Sequence, residues 1–133
     1  MEWLTRSPCA MSGVDFLVDT NVLIYALEGH PAVSGIIQCS VGLSVISEME
    51  LLGKKGIRPH EIFAIRHLLN DCNIMKLTDE IKDVAIVLKQ AYTLKIPDAI
   101  VAATAIHWEL SLVTADSDFK NIKELDLVRL TLS

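Results

Sequence analysis

Apolar residues follow two rhythms along this chain. Short, mainly apolar runs at Val14 to Val18 and Val41 to Ile46 predict buried strands, and Ile74 to Leu77, Leu112 to Thr114 and Leu127 to Leu130 read as further short strands. Between them the rhythm lengthens to every third or fourth position. Asp19-Thr20-Asn21 is a polar cluster suited to starting a helix over Val22 to Leu27, Pro31 opens a short helix to about Gln38, and Ser47 begins one through Leu52 to Gly53. Pro59 stands at a first helical position before Ile62, Phe63, Ile65, Leu68 and Leu69, an amphipathic spacing. Thr78-Asp79-Glu80-Ile81 starts the next helix, whose stripe of Val84, Leu88 and Ala91 runs to about Leu94. Pro97 ends that unit. Asp98 then opens Ala99 to Ile106, apolar on every face except Thr104 and therefore expected to be buried.

Short strands alternating with helices predict an α/β sandwich around a mainly parallel sheet. The segment Met1 to Ser12 has neither period and reads as a loose N-terminal extension (1–12) before a single domain over 13–133, with Met11 an alternative start. In parallel sheets ligands collect beyond the carboxyl ends of the strands, so the polar turns that follow strands hold the candidate chemistry.

Composition narrows the choice. In 133 residues, 12 Lys and Arg face 17 Asp and Glu, a net charge of -5 that argues against a general polyanion binder. Mean hydropathy is high, at +0.40. The longest stretch free of charged residues, Gly29 to Ser47, is nevertheless interrupted by His30, Pro31, Ser34, Gln38, Ser40 and Gly42, so no membrane span is expected. Cys9, Cys39 and Cys72 form no CxxC pair and fit reduced thiols in a cytoplasmic protein.

Five acids fall where strands give way to helices or turns: Asp19, Glu50, Asp98, Asp116 and Asp118. Each has an ordinary explanation alone. Asp19 and Asp98 suit helix N-caps, Asp116 and Asp118 suit a turn, and Ser47-x-x-Glu50 matches a capping box in which Glu50 bonds back to its own helix start. Taken together they mean more, because setting the five aside leaves 12 acids against 12 bases. Carboxylates gathered at one end of a sheet repel, and a cation keeps them ionised. Oxygen-only ligands without nearby His or Cys favour Mg²⁺ or Mn²⁺, one ion or two, whose natural chemistry is phosphodiester hydrolysis. His30, His60, His67 and His107 fall on separate elements or apart from these acids and read as surface or packing residues.

Four blocks carry a resemblance: Val18-Asp19-Thr20-Asn21-Val22-Leu23-Ile24-Tyr25, Ser44-Val45-Ile46-Ser47-Glu48-Met49-Glu50-Leu51-Leu52-Gly53, Ile96-Pro97-Asp98-Ala99-Ile100-Val101-Ala102-Ala103-Thr104-Ala105, and Leu112-Val113-Thr114-Ala115-Asp116-Ser117-Asp118-Phe119. In order and spacing, over about Val14 to Leu130, they resemble the PIN domain, close to the VapC-type toxins. The resemblance implies a three-layer α/β/α sandwich and a metal-dependent endoribonuclease. Asp19, Glu50, Asp98 and Asp116 would be its acidic quartet, Asp118 an auxiliary acid, and Thr20, Asn21 and Thr114 supporting polar residues. Glu48 lies near the second block too. Glu50 is preferred because the family's acid stands immediately before Leu-Leu-Gly, and two helical residues turn a side chain by about 200°.

Lys54, Lys55 and Arg58 form a basic turn one helix from Glu50 and are candidates for contact with RNA phosphates. The resemblance also implies a small antitoxin protein and a homodimer as partners. Ile24, Leu27, Ile36, Ile37, Leu51, Leu52, Ile62, Phe63 and Leu69 are candidates for an exposed apolar patch that serves them. Alternatives are a non-toxin PIN nuclease of RNA processing and a catalytically silent PIN binding module. A dehalogenase-like phosphatase would need a second Asp where Asn21 stands, and a receiver domain would need acids and a lysine that have no place here.

Overall fold

The computed structural model describes residues 13–131, so the extension Met1 to Ser12, including Cys9, lies outside the described residues. The elements are β1 (Phe16–Val18), α1 (Thr20–Leu27), a 3-10 turn (Pro31–Val33) leading into α2 (Ser34–Ile37), β2 (Val41–Ser44), α3 (Val45–Leu52) and α4 (Pro59–Leu69). They continue with β3 (Asn73–Met75), α5 (Asp79–Ala91), α6 (Ile96–His107), β4 (Leu112–Thr114), a 3-10 turn (Ser117–Phe119) and β5 (Leu127–Arg129). The strands form one sheet in the order β3-β2-β1-β4-β5, and every neighbouring pair is parallel.

Both faces of the sheet are covered because successive strand residues point to opposite sides. Leu17 and Leu112 turn one way, onto Ile81, Leu88 and the small side chains of α6. Val18, Val41, Leu43 and Val113 turn the other way, onto Val22, Leu23, Leu51, Ile65 and Leu69. Helices α5 and α6 therefore form one outer layer and α1, α3 and α4 the other, which is the three-layer α/β/α sandwich expected. Leu17, Leu43 and Leu112 have no exposed surface. Truncating any of them to alanine should cost about 2–5 kcal/mol in denaturant unfolding.

Element ends moved where a backbone group found a partner that the apolar pattern does not reveal. β2 stops at Ser44, whose hydroxyl accepts a hydrogen bond from Ile46 N (3.1 Å) and so caps α3. Ser47, expected to start that helix, is instead buried within it. The capping box proposed for Glu50 is therefore absent. Ser44→Ala should cost about 1 kcal/mol and lower the melting temperature, because it removes this cap while leaving the acids in place. Pro97 does not end a unit either. It lies in the first turn of α6, where its missing N–H is no loss, and Lys95 occupies the cap position, so Asp98 is a first-turn residue and not an N-cap. α6 is buried continuously from Ala99 to Ala105, as its composition required.

Among the described residues no helix is long and apolar enough to cross a membrane. Cys39 and Cys72 are free thiols, and burial with nearby Asp71 pushes the Cys72 thiol up to about 11.

Candidate active site

The strand order places β1 at the point where the chain changes direction, with β2 and β3 on one side and β4 and β5 on the other. A crevice forms beyond the carboxyl ends of strands at such a point. Asp19 follows β1, Asp116 follows the adjacent β4 by two residues, and α3 brings Glu50 to the same end.

Asp19 is both an N-cap and a member of the cluster. One carboxylate oxygen accepts from Asn21 N (3.4 Å) at the start of α1, while the other accepts from the Thr114 hydroxyl (2.6 Å). That hydroxyl in turn accepts from Asp116 N (2.9 Å), so Thr114 ties the two acids together across neighbouring strands. Asp116 caps the following 3-10 turn by accepting from Asp118 N (2.9 Å), and Asp118 itself is exposed. Burial raises the Asp19 pKa; the Thr114 and backbone hydrogen bonds only partly oppose it, and the Asp116 charge adds to the rise.

On the other side of β1, Thr20 Oγ1 lies 2.7 Å from Glu50 Oε1 and 2.8 Å from Ser47 Oγ. An ionised carboxylate only accepts and a hydroxyl has one proton, so Thr20 donates to Glu50 and Ser47 donates to Thr20. Asp98 stands in the first turn of α6. Burial pushes its carboxyl from an ordinary 3.8 up to about 6, helped by the negative charges of Asp19, Asp116, Asp118 and Glu50. All four of these acids therefore act on Asp98 in the same direction, against its ionised form.

Residues 16–125 match the PIN domain. The chain belongs to the PIN family. A toxin–antitoxin complex from Klebsiella pneumoniae contains a chain 32% identical to this one, with a TM-score of 0.73 over 85% of this chain and 95% of that one. VapBC-1 from nontypeable Haemophilus influenzae (23% identity, TM-score 0.72, 86% and 96% covered) shares the fold. So does DNA-bound VapBC from Salmonella typhimurium (16% identity, TM-score 0.75, 86% and 96% covered). No curated protein gives a significant match. The VapC-type resemblance drawn from the four sequence blocks thus holds, and PIN domains are nucleases.

Whether this PIN domain suits the divalent ion associated with its family turns on its donor set. All the converging side chains offer hard oxygens, and their mutual repulsion at Asp98 is a deficit that a hard cation relieves. Among the described residues no three acidic, His or Cys side chains form a ready-made cage. An open carboxylate cluster is still what Mg²⁺ uses, since it keeps several waters and takes one or two carboxylates.

Ser47 is the supporting residue that the sequence reading missed as such. Its one available signal was the three-residue spacing Ser44-x-x-Ser47-x-x-Glu50, which aligns Ser47 with Glu50 along one helix face. The basic turn is only partly free, because Lys54 pairs with Glu61 at 3.1 Å while Lys55 and Arg58 are exposed. The histidines are packing or surface residues: His30 accepts from Ala32 N through Nδ1, His67 stacks on Phe63, and His107 meets Trp108 edge-on. Of the apolar candidates, Leu51 and Leu69 are core, whereas Ile24, Leu27 and Phe63 are exposed.

Proposed function

We propose that this protein is a Mg²⁺- or Mn²⁺-dependent endoribonuclease and the toxin of a toxin–antitoxin pair. The observation that carries the reading is the hydrogen-bonded set at the carboxyl ends of the strands, in which Thr114 joins Asp19 to the backbone of Asp116 and Thr20 holds Glu50, with Asp98 pushed up by burial and by the charges of these acids and Asp118. Asp19, Asp98 and Asp116 would hold the ion or ions, with Glu50 and Asp118 assisting. When bound, the ion supplies positive charge for the phosphodiester oxygens and makes a water more acidic.

The chain's own residues do the positioning. Thr114 fixes Asp19 and the backbone of Asp116 with one hydroxyl, and the Ser47–Thr20 relay fixes Glu50. Thr114→Val should lower kcat about tenfold to a hundredfold with little change in KM. It removes the side-chain hydrogen bond that holds Asp19 and frees the turn that carries Asp116.

The toxin reading is supported by the toxin–antitoxin complex from Klebsiella pneumoniae, and the exposed Ile24 and Leu27 on α1 give a small antitoxin an apolar foothold. The protein would work in the cytoplasm as a homodimer, with Met1 to Ser12 dispensable for folding. Deleting that segment should leave the melting temperature unchanged.

The deciding experiment is expression of the chain alone and with the product of the adjacent small reading frame. Growth arrest relieved by the neighbour supports the toxin. Harmless expression of a metal-active ribonuclease would point instead to RNA processing, and a chain that binds RNA without cutting it to a silent module.

A further inference from the structure

We propose that the outward face of α4 is a track for single-stranded RNA leading away from the acidic crevice, with Phe63 as a platform for a stacked base. This rests on the nuclease reading and extends it to how substrate is held outside the reacting centre.

The face is defined by helical spacing. His60, Phe63, Ala64 and His67 recur at three and four residues and are all exposed, while Ile65 and Leu69 hold the opposite side in the core. Phe63 is 74% exposed, which is costly for a phenyl ring in water and serves no packing purpose. Among the described residues its one ring contact is His67, nearly parallel to it at 12° with centroids 6.4 Å apart. No other large apolar side chain lies on that stripe. An amphipathic protein helix would need a row of apolar partners here, whereas a nucleobase needs only a flat ring with its face open.

Charge points the same way. Four of the chain's twelve basic residues, Lys54, Lys55, Arg58 and Arg66, lie within thirteen positions that contain a single acid, Glu61, in a protein of net charge -5. Glu61 engages Lys54. Among the described residues no acid pairs with Lys55, Arg58 or Arg66. Cations interleaved with exposed rings are the signature of surfaces that hold single strands, the cations following the phosphates and the rings stacking the bases.

Connectivity joins this face to the crevice. α3 carries Glu50 and ends at Leu52, the basic turn follows at once, and α4 packs against both α3 and α1. From His60 to His67 the helix rises about 10 Å, enough for more than one nucleotide beyond the cleavage point.

The test uses a fluorescein-labelled single-stranded RNA of about a dozen nucleotides and the full chain carrying Asp98→Asn, so that bound RNA stays intact. Adding Phe63→Ala should weaken binding by fluorescence anisotropy about fivefold to a hundredfold, Phe63→Trp should restore it, and Phe63→Leu should not, because leucine keeps apolar area without an aromatic face. Adding Arg66→Gln should reduce the slope of log affinity against log salt by about 0.7. Phe63 is exposed, so unchanged melting temperatures are expected throughout.

RNA affinity unchanged by both Phe63→Ala and Arg66→Gln, with the wild-type chain still cleaving RNA, overturns the track and leaves the nuclease reading standing. Loss of the neighbouring-frame protein from Phe63→Ala without loss of RNA makes this a protein surface and also overturns the track. A wild-type chain that neither binds nor cuts RNA overturns both readings.

Discussion

Asp98→Asn should reduce RNA cleavage by at least about a thousandfold while the protein stays folded and becomes no less stable to heat. The carboxyl sits half-buried on α6 and is pushed up to about 6 by burial and by Asp19, Asp116, Asp118 and Glu50. Asparagine keeps the shape and one oxygen but removes the charge, so it deletes a ligand for a cation and relieves repulsion at the same time. Loss of activity with retained stability is the mark of a residue placed for chemistry at a cost to the fold. A substitution that instead unfolded the chain would mark Asp98 as structural. Glu50→Gln should be similarly damaging and Glu48→Gln mild, because it is Glu50 that Thr20 holds at 2.7 Å.

The second large effect is a dependence of metal-free stability on pH whose direction is opposite to the usual behaviour of carboxylates in ion pairs. Asp98 and Asp19 both have folded-state pKa values raised above their ordinary 3.8, Asp98 to about 6. Between these values the folded state binds more protons than the unfolded chain, so stability falls as pH rises through that window. Below about 4 both states are protonated and the penalty vanishes; above about 6 it is present in full. A shift of this size at a fully buried group would correspond to about 3 kcal/mol, and the partial exposure of Asp98 reduces the expected effect to about 1–2 kcal/mol. Adding Mn²⁺ at neutral pH should therefore raise the melting temperature by several degrees, and it should do so much less at pH 4.5 or in Asp98→Asn. A melting temperature that climbs from pH 4.5 to 7 without metal would contradict this description of the crevice.

Most of the architecture was legible because parallel strands buried on both faces have no polar alternation and cannot be mistaken for surface segments. Val41 to Ser44 and Leu112 to Thr114 stand out as apolar runs, and Ala99 to Ala105 as a helix with no polar side wide enough to face water. The exchange of cap between Ser44 and Ser47 was not legible. Both are serines ahead of an apolar helix, and only the end of pairing between β2 and β3 at Ser44 decides which hydroxyl is left to meet a free backbone N–H.

For the site, the sequence placed five acids at one end of the fold from their positions after strands, but not their connections. Thr114 bridging Asp19 and Asp116 depends on strand order, since β1 and β4 are adjacent in the sheet though some 95 residues separate the partners. The Ser47–Thr20–Glu50 relay depends on how α3 lies against α1. Local pattern holds no record of either.

The most direct test of the central claim is to follow RNA cleavage by the purified chain while Mn²⁺ or Mg²⁺ is titrated in from a chelated start, with ion binding measured calorimetrically on the same preparation. Cleavage that is absent in chelator, rises over the concentration range in which the ion binds, and disappears together with that binding in Asp98→Asn is the predicted result. Cleavage that persists undiminished in excess chelator, or ion binding that Asp98→Asn leaves untouched, would contradict it.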